Sequence, residues 1–116
     1  MQYEKDIKER TKEFAVVTVK FVIELKNTGV EYPLRDQILR SGTSIGANVK
    51  EARASSSRKE LIRYYEIALR SADETEYWME VIKDGYEMKE EQFESIKKEL
   101  KKITKVIASI IINLKK

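Results

Sequence analysis

The sequence predicts an all-α protein: an antiparallel, up-down-up-down four-helix bundle. Three observations carry that prediction. Two long segments repeat apolar residues in alternating steps of four and three: Leu61, Tyr65, Ala68, Ala72, Thr75, Met79 and Ile82, then Phe93, Ile96, Leu100, Ile103, Ile107, Ile110 and Leu114. Such steps hold one seam on one face of a helix. The chain has one proline and only four glycines, too few turn residues for an all-β architecture. Four helical stretches of roughly 20 to 26 residues, joined by short connections, fold up and down in antiparallel order.

The first helix is expected from about Tyr3 to Lys26. Phe14, Val17, Phe21 and Leu25 form its buried stripe. Val16, Val19, Val22 and Ile23 extend the apolar surface past that stripe, so a second cover is needed, and another copy of the chain is the simplest one. Gly29 in Asn27-Thr28-Gly29 suits a C-terminal cap. Pro33 stands at or just before the start of the second helix, where its missing N–H costs little.

The second helix, about Leu34 to Ala54, organises the rest. Its stripe is Ile38, Ser41 or Gly42, Ile45, Val49 and Ala52. Ser41, Gly42, Thr43, Ser44, Gly46 and Ala47 crowd small side chains where bulky ones are usual. Glycine costs about 1 kcal/mol in a helix interior relative to alanine. Two of them imply close approach by neighbours, and the other three helices are expected to pack on this one. Ser55-Ser56-Ser57 breaks the helix, and Ser57 with Glu60 matches a capping box for the third. The third helix should run from about Arg58 to Lys83 and stop at Asp84-Gly85, with Arg70 able to pair with Glu66 and Glu74. The fourth should run from about Glu90 to Lys115. Glutamates in its first turn and lysines at its end suit the helix dipole.

At 116 residues the chain is expected to be one domain, residues 1–116, large enough for one core. It has no cysteine and no histidine. Disulfides and thiolate chemistry are excluded, a cytoplasmic setting is expected, and the commonest general base and metal ligand are both missing. No signal peptide is expected from MQYEKDIKER. The longest mostly apolar run, Val106 to Leu114, is far short of the roughly 20 residues that span a bilayer. Ser41, Thr43, Ser44 and Ser71 have no base to activate them. Asp73, Glu74, Glu76 and Glu80 read as a solvated or salt-bridged face rather than as a cation site. No catalytic residue, cofactor or metal is therefore assigned.

The net charge is +3, unevenly spread. Residues 35–63 carry seven basic groups against three acidic ones, and residues 97–116 seven lysines against Glu99. Both regions are where a polyanion would bind. Arg35, Arg40, Lys50, Arg53, Arg58, Lys59 and Arg63 are the first candidate nucleic-acid-binding set, set against the alternative of solvated surface with local ion pairs. Lys97, Lys98, Lys101, Lys102 and Lys105 are the second. Tyr77 and Trp78 fall off the seam of the third helix. With Val16 and Val19 they are candidate interface residues, base stacking being the alternative.

LRDQILRSGTSIGANVKEA, a short serine linker and IALRSADETEYWMEVI together resemble the four-helix bundle proteins also called 23S rRNA-intervening-sequence proteins. That group includes the accessory variability proteins of diversity-generating retroelements. The resemblance runs from about Tyr32 to Gly85, and the outer two helices match in pattern only. It implies a bacterial, non-enzymatic bundle that assembles as a ring-like homopentamer. For the retroelement members it implies binding to nucleic acid and to a reverse transcriptase through a basic surface of the ring. A protein-interaction scaffold with no nucleic-acid role is the alternative.

Overall fold

The computed structural model of the chain describes residues 2–116, with side chains from Ile7 onward. Four helices follow in order: α1 (Gln2–Asn27), α2 (Tyr32–Arg53), α3 (Arg58–Gly85) and α4 (Glu91–Lys115). The rod they form measures 44 × 21 × 19 Å. Side-chain contacts give each direction. Thr18 lies against Gly42 and Thr11 against Gly46, so α1 and α2 are antiparallel. Ser41 meets Thr75 and Ser44 meets Ser71, so α3 reverses again. Glu80 bonds Lys97 and Lys83 bonds Glu90, so α4 does too.

The seams of α3 and α4 are buried as their spacing predicts, with only Leu61 and Leu114 part-exposed at the ends. On α2 both Ser41 and Gly42 are buried, alongside Ile38, Ile45, Val49 and Ala52. Two expectations are corrected. First, α2 touches α1 and α3 but not α4, which lies across the diagonal. A four-helix square gives each helix two neighbours, so small residues on α2 cannot draw in a third. Second, the buried face of α1 is turned away from Val17, which is 42% exposed. Ile7, Thr11, Phe14, Thr18, Phe21, Val22 and Leu25 face inward instead.

Thr11 and Thr18 explain that rotation. Each hydroxyl donates to the carbonyl one turn back, Thr11 to Ile7 and Thr18 to Phe14, both at 2.8 Å. The polar atom is satisfied within its own helix, and what α2 meets is a short side chain. A Cβ on Gly42 would stand 2.6 Å from the Thr18 Cγ2, and one on Gly46 would stand 3.1 Å from the Thr11 carbonyl oxygen. The glycines are the space that α1 occupies.

The opposite flank of α2 is polar. The Ser41 and Thr75 hydroxyls are 2.8 Å apart, and Thr75 also donates to the Ser71 carbonyl at 2.7 Å. Ser71 bonds Ser44 at 3.1 Å, and the Asn48 amide donates to the Ser44 carbonyl and hydroxyl. Buried hydroxyls are tolerable only when paired, and here α2 and α3 pair them across the interface.

The turns follow local chemistry. Gly29, at φ +84°, lets Gly29 N–H and Val30 N–H donate back to the Lys26 and Leu25 carbonyls, and Val30 and Leu25 close over the joint in the core. Ser57 caps α3 by accepting from the Glu60 N–H at 3.1 Å. The third helix ends at Gly85 as expected, but the left-handed residue that follows is Glu87, at φ 51°. Its N–H and that of Met88 donate to the Asp84 and Lys83 carbonyls. The pattern is the same as at Gly29, held by a residue with a Cβ. Arg70 does not take the expected partners either. Glu66 meets Lys115 at 2.9 Å and Glu74 accepts from the Trp78 indole at 3.3 Å.

Forcing a methyl into the filled core at Gly42→Ala should cost about 1–3 kcal/mol, offset by about 1 kcal/mol of helix propensity, a net loss of up to about 2 kcal/mol. Adding Thr18→Ala should recover part of that loss, because it removes the atoms the new methyl meets. Urea unfolding of both variants measures this. A Gly42→Ala protein more stable than the parent by the full helix-propensity gain of about 1 kcal/mol contradicts the close approach.

Candidate nucleic-acid interface

A concavity runs between α1 and α2, near the chain termini. Lys8, Glu9, Lys12 and Ala15 form one wall, and Thr43, Gly46, Ala47, Lys50 and Arg53 the other. It is an open groove of about 800 Å³. Its geometry follows from the helix contact just described. With Gly46 against the Thr11 backbone, the two axes come close and the floor is made of small side chains. Lys8 and Lys12 are one turn apart on α1, and Lys50 and Arg53 three apart on α2, so each pair projects from a single face. Antiparallel packing sets the two pairs on opposite rims. Four cations thus surround a shallow trough with one carboxylate, Glu9, among them. Such an arrangement suits a run of phosphates.

The structure divides the first candidate set. Lys50 and Arg53 line the groove, whereas Arg58, Lys59 and Arg63 are exposed beyond it, past the α2–α3 turn. Arg35 and Arg40 sit toward the other end of α2. Arg35 is 18 residues from Arg53, about 27 Å along a helix axis. The expectation of a single patch is corrected for these two. Arg35 is partly buried and donates from Nε to the Val30 carbonyl at 2.9 Å, with its guanidinium 5.6 Å from the centre of the Tyr32 ring. Tyr86 accepts from the Glu31 N–H at 2.9 Å in the same corner. Arg35 therefore fastens the α1–α2 turn. Arg40 stands 4.0 Å from Asp36 one turn away, in an exposed pair of little energetic weight.

Lys8 and Lys12 are the groove residues that sequence reading missed. Their four-residue spacing was visible. Their place beside Lys50 depends on the register of α1 against α2, which the Thr18–Gly42 and Thr11–Gly46 contacts set.

The candidate interface residues lie on two diagonal helices. Val16 is 47% and Val19 43% exposed on α1, and Tyr77 is 60% exposed on α3. Trp78 is half-buried against the core, edge-on to Tyr77 with ring centres 5.1 Å apart. Val16 and Val19 continue with Ile23 along the stripe of α1 that begins at Lys8 and Lys12. One helix face is thus cationic toward the termini and apolar toward the turn.

In the second lysine set, Lys97 is committed elsewhere. Glu80, Lys83, Glu90 and Lys97 form a cluster of alternating charge that joins α3 to α4. Lys97 bonds Glu80 and reaches Glu90 at 3.3 Å, while Lys83 bonds Glu90 and reaches Glu80 at 3.6 Å. The hydrogen bond from Lys97 holds the Glu80 carboxyl below the usual carboxylate range, and those from Lys83 and Lys97 do the same for Glu90. In return Glu90 raises Lys83 and Glu80 raises Lys97 above the ordinary ammonium value. Among the described residues, no group of three or more carboxylates is placed to hold a metal ion, and Glu80 already has its cations.

The carboxylate contribution is complete above the ordinary value of 4.5 and is lost as pH falls through the lowered folded values. The lysine contribution is complete below 10.5 and fades above it. Lys97→Met should therefore cost stability at neutral pH, and its gap from the parent should narrow as the pH drops below about 4. Thermal unfolding across pH measures this, and a gap that stays constant into acid contradicts it.

Among the described residues, no helix is long and apolar enough to cross a membrane. The family model described as 23S rRNA-intervening sequence protein matches residues 4–109. A solved structure of similar shape is a protein of unknown function from the S23 ribosomal protein family, from Bacteroides thetaiotaomicron. It superposes with a TM-score of 0.89 at 42% identity, covering 94% of this chain and 97% of that one. No curated protein matches. The family match spans nearly the whole bundle, groove included, and the chain belongs to the 23S rRNA-intervening sequence protein family.

Proposed function

We propose that this chain is a non-enzymatic binding protein of the cytoplasm that holds RNA or DNA by its phosphates in the α1–α2 groove, as a ring-like homopentamer. The observation that carries the reading is the placement of Lys8, Lys12, Lys50 and Arg53 around a floor of small side chains. Phosphate contacts need mobile cations on an accessible surface, and Lys8, Lys12 and Lys50 are all exposed. Self-assembly is supported by Val16, Val19 and Ile23, which leave an apolar stripe on α1 without a cover in the single chain. A ring uses two different surfaces of each copy, and the exposed apolar residues of α1 and α3 lie on two different sides. Repetition around a ring would multiply four cations into a continuous field. The retroelement resemblance adds a reverse transcriptase as one protein partner to test.

Fluorescence anisotropy with a labelled 20-nucleotide RNA or DNA tests the groove. If four phosphates are neutralised per site, affinity should fall about a hundredfold between 50 and 200 mM salt. Lys12→Ala/Lys50→Ala should remove about half of that salt slope. Absence of any complex at micromolar protein in low salt would rule the groove out and leave the scaffold reading. For assembly, light scattering should give about five times the 13.6 kDa chain mass, and Val19→Glu/Ile23→Glu should reduce it to one. A parent protein that stays at 13.6 kDa at every concentration would remove the ring.

A further inference from the structure

The charges of the rod are sorted along its length. At about the level of Val16 the bundle divides into a half that bears the termini (residues 7–16, 43–72 and 101–116) and a half that bears the α1–α2 and α3–α4 turns (residues 17–42 and 73–100). The terminal half holds fourteen basic side chains against five acidic ones. The turn half holds eight against thirteen. A modest net charge thus conceals opposite ends of +9 and −5. The helix dipoles do not produce this, since those of four antiparallel helices cancel in pairs. It comes from the side chains, and the folding brings it about: the acidic residues 73–87 of α3 and the turn after it lie toward the glutamate-rich start of α4, while the lysines of α4 end toward Arg58, Lys59 and Arg63.

We infer that the protein takes up nucleic acid end-on. The footprint extends from the α1–α2 groove around the terminal end to Arg58 and Lys59, and the turn end repels the same polymer. The inference rests on the groove reading and adds a direction to it. Arg58 and Lys59 are exposed at the first positions of α3, next to the exposed Ser56 and Ser57 of the turn. Among the described residues, the turn beside them is built from the small side chains Ser55, Ser56 and Ser57. The apolar stripe Val16, Val19 and Ile23 lies at the dividing level and on the turn side of it, so assembly through that stripe leaves the cationic end open. Cyclic symmetry preserves direction along its axis. Bundles standing along that axis would put every cationic end on one face, and the ring would have one binding face and one repelling face.

Two double variants of equal charge change separate position from net charge. Arg58→Glu/Lys59→Glu alters the terminal end outside the groove. It places glutamates in the first turn of a helix, where the dipole favours them, so folding is preserved. Lys26→Glu/Lys89→Glu alters the turn end, at two exposed lysines. Binding of the labelled 20-mer is measured by anisotropy, with helicity and mass checked for each. The terminal-end variant should lose at least tenfold in affinity and about two units of salt slope, and the turn-end variant should stay within twofold of the parent. Equal losses in both variants would overturn the inference, because net charge alone would then govern binding. So would a terminal-end variant that binds like the parent while Lys12→Ala/Lys50→Ala is impaired, since the footprint would then end at the groove. A parent protein that binds nothing would instead defeat the groove reading itself.

Discussion

The contact of α1 with α2 through Gly42 and Gly46 sets the geometry on which the rest depends. Apolar seams of the kind found on α3 and α4 define a face, but they repeat, and a helix shifted by one turn along such a seam still buries leucine and isoleucine. Glycine opposite threonine is different. Only where α1 presents Thr18 to Gly42 and the Thr11 backbone to Gly46 do the two axes approach closely, and a one-turn slip would drive Phe14 or Phe21 into the space. This single register brings Lys8 and Lys12 level with Lys50 and Arg53. The groove is therefore a consequence of how the core is packed, and its small floor is the outer edge of the same close approach.

On the other flank of α2 the register is set by hydroxyls. Ser41 with Thr75 and Ser44 with Ser71 are complementary only in one alignment, and any slip would leave buried polar atoms without partners, at a cost of about 1–3 kcal/mol for each group. Such bonds add little net stability when made. Their effect is to penalise the alternatives. A helix with glycines on one side and serines on the other is thus located against both of its neighbours, while α4 is held across the diagonal by bulk apolar packing and by the charged cluster with α3.

The elements were legible because their signals are local. Ser57, Gly29 and the four-three seams act within a turn or two of themselves, and the helices fall within a few residues of where these signals put them. What could not be read were relations between helices. Val17 belongs to the apolar stripe on spacing alone, and its exposure follows from Thr18, whose hydroxyl is satisfied by the Phe14 carbonyl and so can be buried. Gly85 looks like the natural stop for α3, yet Glu87 takes the left-handed turn, because the hydrogen bonds that close the helix depend on where the chain must leave toward α4. Seven basic residues in one segment suggest one patch, but α2, 22 residues long, carries Arg35 and Arg40 toward one end of the rod and Lys50 and Arg53 toward the other. Lys8 and Lys12 sit in a segment whose charges balance, and nothing near them in sequence singles them out.

In the proposed assembly the outer stripe of α1 would serve two purposes without conflict. From Lys8 and Lys12 to Val16, Val19 and Ile23 the steps are four, four, three and four, so all five project to the same side. Burying a lysine under a second copy would cost desolvation, and leaving the three aliphatic side chains in water costs hydrophobic free energy. An assembly that covers the apolar stretch and stops short of the lysines avoids both penalties. In the proposed ring, the cations at that end would stay clear of the protein interface, and neighbouring copies of them would be held at fixed spacing. A polymer of phosphates is a ligand that rewards fixed spacing, because each further contact after the first is intramolecular. Under that proposal the aliphatic residues of α1 would contribute to binding without touching the ligand, by holding the cationic ends of separate chains in a common plane.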